Sequence, residues 1–125
     1  NVLWHDPALL RDGGSYANGA IILAGWSPLA DTAPNQQFVS EYRGTMGREP
    51  DVFSAFAYDA LRLSRHLVIT GHKRTPSQCR DGLMTLIGFD GLTGVIAGKR
   101  SGELVHQATW ITVSDGAFKL LEPLQ

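Results

Sequence analysis

The sequence is poor in cysteine, since Cys79 is the only one in 125 residues. A single cysteine cannot form an internal disulfide, so cysteine usage gives no indication of the redox compartment. Long apolar runs are absent too. No stretch reaches the roughly eighteen apolar residues that a membrane-spanning helix needs, and we expect no transmembrane segment.

The sequence also lacks an excess of either charge. It has 11 Lys and Arg against 12 Asp and Glu, which gives a formal net charge of −1 at pH 7. This balance gives no electrostatic case for nucleic acid or an anionic membrane as a partner. The short basic clusters at Gly71–Arg74 and Lys99–Arg100 are therefore interpreted as solvated caps at turns.

Motifs for catalysis and metal binding are missing as well. The four histidines, His5, His66, His72 and His106, have no H-x-x-x-H spacing, and neither C-x-x-C nor G-x-S-x-G occurs. Cys79 lies on the apolar face of a predicted helix and is interpreted as a buried, inert thiol. The sequence therefore predicts no enzyme, no metal site and no cofactor.

One stretch, from Pro50 to Gly71, predicts a long helix around which the rest of the chain is organised. Asp51 can cap its N-terminus, and apolar residues recur every three or four positions from Phe53 to Leu67. Gly71 can end the helix in the left-handed conformation. Phe53 lies in the first turn, where its ring is either a plug of the core or the wall of a site.

The remaining elements are shorter. We predict a helix at 8–11, a buried strand at 20–24, helices at 34–46 and 76–87, strands at 95–97 and 105–113, and a hairpin through 114–116 to 117–121. Thr75 and Gln78 predict a capping box at the start of the helix at 76–87. The continuous apolar run at 20–24 is typical of a strand buried on both faces, as in a parallel sheet. Three helices, a buried strand and a terminal β-hairpin predict an α/β fold.

The three tryptophans, Trp4, Trp26 and Trp110, are read first as core residues. Trp26 has the best case for ligand contact, because it follows the buried strand and α/β sheets bind ligands at strand ends. Phe53 joins it as a candidate, since helix N-termini lie near such strand ends.

Four blocks of sequence share their order and spacing with a known family. They are F-V-S-E-Y-R-G-T-M-G-R-E-P-D (38–51), A-Y-D-A-L-R-L (57–63), F-D-G-L-T-G-V-I (89–96) and V-S-D-G-A-F (113–118). Together they resemble the C-terminal part of type I periplasmic ligand-binding proteins. The branched-chain amino-acid receptors of ABC importers are the best-known group. The resemblance extends from Asp6 to Phe118.

The resemblance implies a two-lobe α/β fold with three crossovers and a ligand cleft between the lobes. The family's chains are several times longer, so we expect this chain to form a single incomplete unit. By resemblance, residues 1–25 and 106–125 belong to lobe two and residues 26–105 to lobe one. Such a piece is expected either to be a fragment or to complete its core with another chain, self-association included.

The resemblance also implies a function without catalysis. The expected activity is capture of a small organic ligand, an amino acid or an aromatic or organic acid, and its delivery to the membrane permease of an ABC importer. The expected location is periplasmic or extracellular. The alternative is a ligand-sensing regulatory domain of the same fold.

Site residues follow from the same resemblance. The family's aromatic ligand contact, five positions before the tyrosine of the Y-D-A block, falls on Phe53. Trp26 is expected to form a second apolar wall, with Trp4 a weaker candidate. A lobe-two carboxylate that often binds the ligand's ammonium group aligns near Val2–His5, where this sequence has no acid. This departure favours solutes other than amino acids.

Overall fold

The computed structural model describes residues 6–121 and divides them into two compact units. Among the described residues, the first unit consists of those that lie in Asn1–Val52 and Ala108–Gln125, and the second unit is Phe53–Gln107. The predicted lobe boundaries at 25/26 and 105/106 stay predictions. Each unit is described by itself below.

The first unit contains two helices and a three-stranded antiparallel sheet. Helix α1 (Pro7–Gly13) begins at Asp6, whose carboxylate accepts the Ala8 backbone N–H at 2.7 Å, and a short 3₁₀ turn (Gly14–Ala17) follows it. Helix α2 (Ala33–Met46) confirms the prediction for 34–46 and ends at Gly47, whose φ of 65° is left-handed.

The sheet of the first unit corrects the prediction for the apolar run at 20–24. Strand β1 (Ile21–Ala24) pairs antiparallel with β5 (Thr109–Ser114), which pairs with β6 (Ala117–Leu120). It is buried on one face only, because Ile22 and Ala24 point into the core while Ile21 and Leu23 are exposed. A parallel strand buried on both faces was therefore the wrong interpretation.

A small hydrophobic core lies under this sheet. Ile111 and Val113 of β5 are almost fully buried, and they pack with Ile22, Ala24 and Ala17. Side chains from α1 and from Phe118 of the terminal hairpin cover the edge of this cluster.

The second unit is built on α3 (Val52–Arg65), which continues into a π-helical turn at His66–Thr70. The long helix predicted in the stretch from Pro50 to Gly71 is confirmed in extent. The predicted apolar stripe is buried only at Leu63 and Leu67, whereas its other members, Phe53, Phe56, Ala57 and Ala60, are not. The buried row is Ala55, Asp59, Leu63 and Leu67, at spacing of four.

The helix also ends differently from the prediction. Gly71 has φ −81°, and the left-handed position is taken by His72 with φ 50°. Gly71 is needed for space instead, because a Cβ there would lie 2.8 Å from the Leu67 carbonyl oxygen.

The rest of the second unit packs against the end of α3. Helix α4 (Pro76–Met84) has the predicted capping box at Thr75 and Gln78 but ends before the predicted residue 87. Strands β2 (Phe89–Gly91), β3 (Gly94–Gly98) and β4 (Leu104–Val105) form an antiparallel sheet. Leu63, Leu67, Leu86 and Ile96 form its core.

The predicted strand at 105–113 is two strands. Its first residue, Val105, belongs to β4 and pairs with β3, whereas Thr109–Ser114 form β5 in the other unit. The break coincides with the boundary between the units, after Gln107.

Candidate functional site

Trp26 lies two positions after the end of β1, in the loop that leads to α2. Its side chain is 2 % exposed, and its ring meets Phe38 of α2 edge-on, with the ring centroids 5.9 Å apart. Its indole N–H donates to the Asn35 side-chain oxygen at 2.7 Å. The indole nitrogen of Trp26 therefore forms a hydrogen bond within the protein, and the ring carbons remain for other contacts.

Asn35 fixes the loop that carries Trp26. It is 1 % exposed in the first turn of α2, and its amide nitrogen donates to the backbone oxygens of Ser27, Pro28 and Ala30 at 3.3, 3.3 and 2.9 Å. One buried side chain thus holds the indole and three loop carbonyls in a single arrangement.

A cavity of about 470 Å³ opens beside Trp26 within the first unit. Its apolar lining comes from α1, from the Trp26 loop and from the terminal hairpin: Pro7, Leu10, Trp26, Pro28, Leu29 and Phe118. Its polar lining comes from the segment after α2, including Arg48, Glu49 and Asp51. The volume lies in the range of small-molecule sites.

The charges in this segment have different partners. Glu49 accepts a hydrogen bond from Arg43 at 2.6 Å, and this contact raises the pKa of the Arg43 guanidinium. Arg48 lies over the Tyr42 ring, 5.7 Å from its centroid, and forms no ion pair within residues 6–121. The cavity therefore combines an apolar wall with a cation, Arg48, and two carboxylates, Glu49 and Asp51.

Phe53 belongs to the second unit. It lies in the first turn of α3 and is 59 % exposed, so the structure does not support the core-plug interpretation within this unit. Trp4 lies outside the described residues. The structure thus places Trp26 at a cavity and Phe53 on a surface, and it describes the two in separate units.

Arg48 and Asn35 were missed by the sequence reasoning. Arg48 was considered only as one residue of the sequence block 38–51, and no role in a site was predicted for it. Asn35 had one usable signal, because asparagine is unfavourable inside a helix and its occurrence in the first turn indicates a local hydrogen-bonding role.

The described residues hold no group of three or more His, Cys, Asp or Glu side chains placed to bind a metal. Between residues 6 and 121, no helix has both the length and the apolar character that crossing a bilayer requires.

Comparisons with known proteins agree with this architecture. A model of the periplasmic binding protein family matches residues 3–117. The solved structure of a protein assigned to branched-chain amino acid ABC transport, from Rhodospirillum rubrum, superposes with a TM-score of 0.79 at 24% identity. That match covers 94% of this chain and 34% of the other.

Two further structures are similar. The leucine binding protein LivK from Thermotoga maritima has a TM-score of 0.72 at 21% identity, covering 93% of this chain and 33% of its own. A solute binding protein of an ABC transporter from Rhodopseudomonas palustris, in complex with 3,4-dihydroxybenzoic acid, has a TM-score of 0.68 at 23% identity. That match covers 90% of this chain and 32% of the other. Among proteins of curated function there is no significant match.

The chain belongs to the periplasmic binding protein family, and its α/β structure matches part of the type I fold. The family is one of solute-binding proteins, which implies an extracytoplasmic location. The chain spans about a third of the length of the solved structures it matches.

Proposed function

We propose that this chain forms part of an extracytoplasmic solute-binding protein that captures a small organic acid for an ABC importer. The whole protein would hold the ligand without chemical change and deliver it to a membrane permease. The proposed location is periplasmic or extracellular.

The observation that carries this proposal is the cavity beside Trp26 in a chain of this family. An apolar wall held in place by a buried hydrogen-bond network is pre-organised for a hydrophobic group. Arg48 at the same cavity can pair with a carboxylate, which an aromatic acid and an amino acid share. We propose Trp26 and Phe53 as ligand contacts, with Trp4 as a weaker candidate.

Calorimetric titration of the natural protein tests the proposal. Two probes distinguish the ligand classes: 3,4-dihydroxybenzoate, which is bound in one similar structure, and L-leucine, for which another is named. Because the sequence has no acid at Val2–His5 to bind an ammonium group, we expect the aromatic acid to bind more tightly.

Leu29→Gln provides a variant that tests the cavity with little effect on folding, since Leu29 lines the cavity and is 44% exposed. We expect at least about a tenfold loss of affinity, equal to about 1.4 kcal/mol. Met46→Gln, on exposed α2 surface in the same unit, serves as control and should bind normally. Failure of both probes to bind, or equal affinity in both variants, would argue against this cavity.

A further inference from the structure

A second surface feature lies in the other unit, where the π-helical turn, residues 71–75 and the start of α4 enclose an open groove of about 780 Å³. We call it the basic groove and define it by Val68, Ile69, His72, Lys73, Arg74 and Cys79. It shares no residue with the cavity beside Trp26, since all of its residues belong to Phe53–Gln107.

The charge of the basic groove is of one sign. Lys73 and Arg74 line it beside His72, and its lining includes no acidic side chain. The ion pairs found within residues 6–121 use other cations, Arg11, Arg43, Arg80, Lys99 and Lys119. Lys73 and Arg74 therefore carry positive charge that no carboxylate of the described chain neutralises.

The groove also exposes apolar side chains. Val68 is 51% exposed and Ile69 57% exposed, next to the cations. Most of the lining residues are exposed, so the groove is too shallow to enclose most of a small molecule, as solute pockets do. Its shape suits an extended segment that lies along it.

The groove is held in place by backbone and side-chain hydrogen bonds. The Gly71 and Lys73 N–H groups donate to the carbonyls of His66 and Leu67 at 2.9 and 3.0 Å. The Cys79 thiol donates to the Lys73 carbonyl at 3.6 Å, which gives this cysteine a structural role. A surface fixed in this way loses little conformational entropy on binding.

We propose that the basic groove docks an acidic segment of a partner protein, with glutamate or aspartate side chains flanking an aliphatic residue. The acids would pair with Lys73 and Arg74, and the aliphatic side chain would cover Val68 and Ile69. Charge complementarity supports this occupant over nucleic acid, because two adjacent cations in a chain of net charge −1 give little attraction for a polyanion. The proposal does not depend on which solute the protein binds.

Fluorescence anisotropy with a labelled eight-residue peptide of alternating glutamate and leucine tests the proposal on the natural protein. We expect saturable binding that weakens with added salt. Lys73→Glu and Arg74→Glu should each lower the affinity at least about tenfold. Arg100→Glu, an equal charge change in an exposed turn of the same unit, should leave the affinity unchanged, and circular dichroism would check the fold of each variant.

Two further probes separate specific docking from simple charge attraction. A peptide with serine in place of leucine should bind at least about tenfold more weakly, because it leaves Val68 and Ile69 uncovered. Equal binding of that peptide, equal binding of an eight-nucleotide single strand, or no effect of Lys73→Glu and Arg74→Glu would overturn the proposal.

Discussion

The indole of Trp26 is buried and hydrogen-bonded, yet it borders the cavity that we propose as a solute site. Stability and binding therefore depend on the same side chain. Truncating Trp26 would change both the free energy of unfolding and the affinity for the solute, so the two effects could not be separated. Asn35, which holds both the indole and the loop, lies behind the wall and allows the structural part to be measured separately.

Changing Asn35 to Asp should destabilise the first unit. The substitution replaces the amide nitrogen, which donates to three carbonyl oxygens, with a carboxylate oxygen that repels them. We expect a loss of roughly 2–3 kcal/mol in the free energy of unfolding, measured by urea denaturation. Gln37→Glu makes the same change at an exposed position of α2 and should cost only a few tenths of a kcal/mol. Equal losses in the two variants would contradict the structural role of Asn35.

Phe53→Ala should affect binding of the solute and leave folding nearly unchanged. Because the ring is 59% exposed, its removal should change the free energy of unfolding by less than about 1 kcal/mol. If Phe53 contacts the solute, the affinity for 3,4-dihydroxybenzoate should fall at least about tenfold. Leu61→Ala, at a 73% exposed position on the same helix, is the matched control. A stability loss of roughly 3–5 kcal/mol would restore the core-plug interpretation.

At the scale of elements, the second unit depends on a buried carboxylate that joins α3 to the turn between β2 and β3. Asp59 is 2% exposed and accepts the Leu92 N–H, the Thr93 N–H and the Thr93 hydroxyl at 2.8, 2.9 and 2.8 Å. Gly91 allows this approach, because a Cβ there would lie 2.6 Å from an Asp59 oxygen. Three hydrogen bonds therefore fix the turn to the helix.

Asp59→Asn should disrupt this connection, because one carboxylate oxygen becomes an amide nitrogen that faces N–H donors. We expect the free energy of unfolding to fall by roughly 2–3 kcal/mol, measured by chemical denaturation. Amide hydrogen exchange at Leu92 and Thr93 should accelerate at the same time. Asp90→Asn, an exposed change on β2, should leave both measurements nearly unchanged. Normal protection in Asp59→Asn would contradict the proposed connection.

The hairpin between β5 and β6 has a carboxylate whose charge should matter at low pH. Lys119 and Ser114 donate to Asp115, and these hydrogen bonds lower the pKa of its carboxyl group below the ordinary 3.8. A lowered pKa in the folded state means that the contribution is present at neutral pH and is lost as the pH falls through that value.

Asp115→Asn should therefore reduce the loss of thermal stability between neutral pH and the range below about pH 4. Asparagine tolerates the left-handed φ of 56° at this position, so the turn itself should persist. Thermal unfolding at neutral and acid pH measures the difference. An unchanged pH dependence in the variant would show that the Asp115 contacts contribute nothing.

The sequence predicted the elements of the fold better than their partners. The positions of α2, the capping box of α4 and the terminal hairpin were predicted correctly. Caps and turns depend on residues only a few positions apart, so the local sequence indicates them. The orientation of β1 could not be read locally. Its apolar run suits parallel and antiparallel sheets alike, and its partner β5 lies far away in sequence.

The candidate site was predictable in part for a similar reason. The position of Trp26 after a strand was visible in the sequence, but the cavity beside it is assembled from α1, the segment after α2 and the terminal hairpin. Those segments are distant along the chain, so neither the role of Arg48 nor that of Asn35 could be derived from spacing.

At the scale of the whole molecule, the sheet of the first unit has one apolar face that the described chain leaves exposed. Ile21 and Leu23 of β1 lie on the same face, and Trp110 of β5 is paired opposite Leu23. These side chains are 67%, 41% and 50% exposed. Contiguous exposed apolar surface of this kind favours association.

We therefore predict that the 125-residue chain, of 13.6 kDa, associates with itself as its concentration rises. Light scattering over a dilution series should show a mass above that of one chain that falls on dilution. Leu23→Lys combined with Trp110→Lys should shift the equilibrium toward the monomer, because charges on the face oppose its burial. Two exposed positions in turns, Ser101→Lys with Asn18→Lys, provide the matched charge control and should associate like the natural chain. A species of 13.6 kDa at every concentration would contradict the prediction and would mean that this face is stable in water.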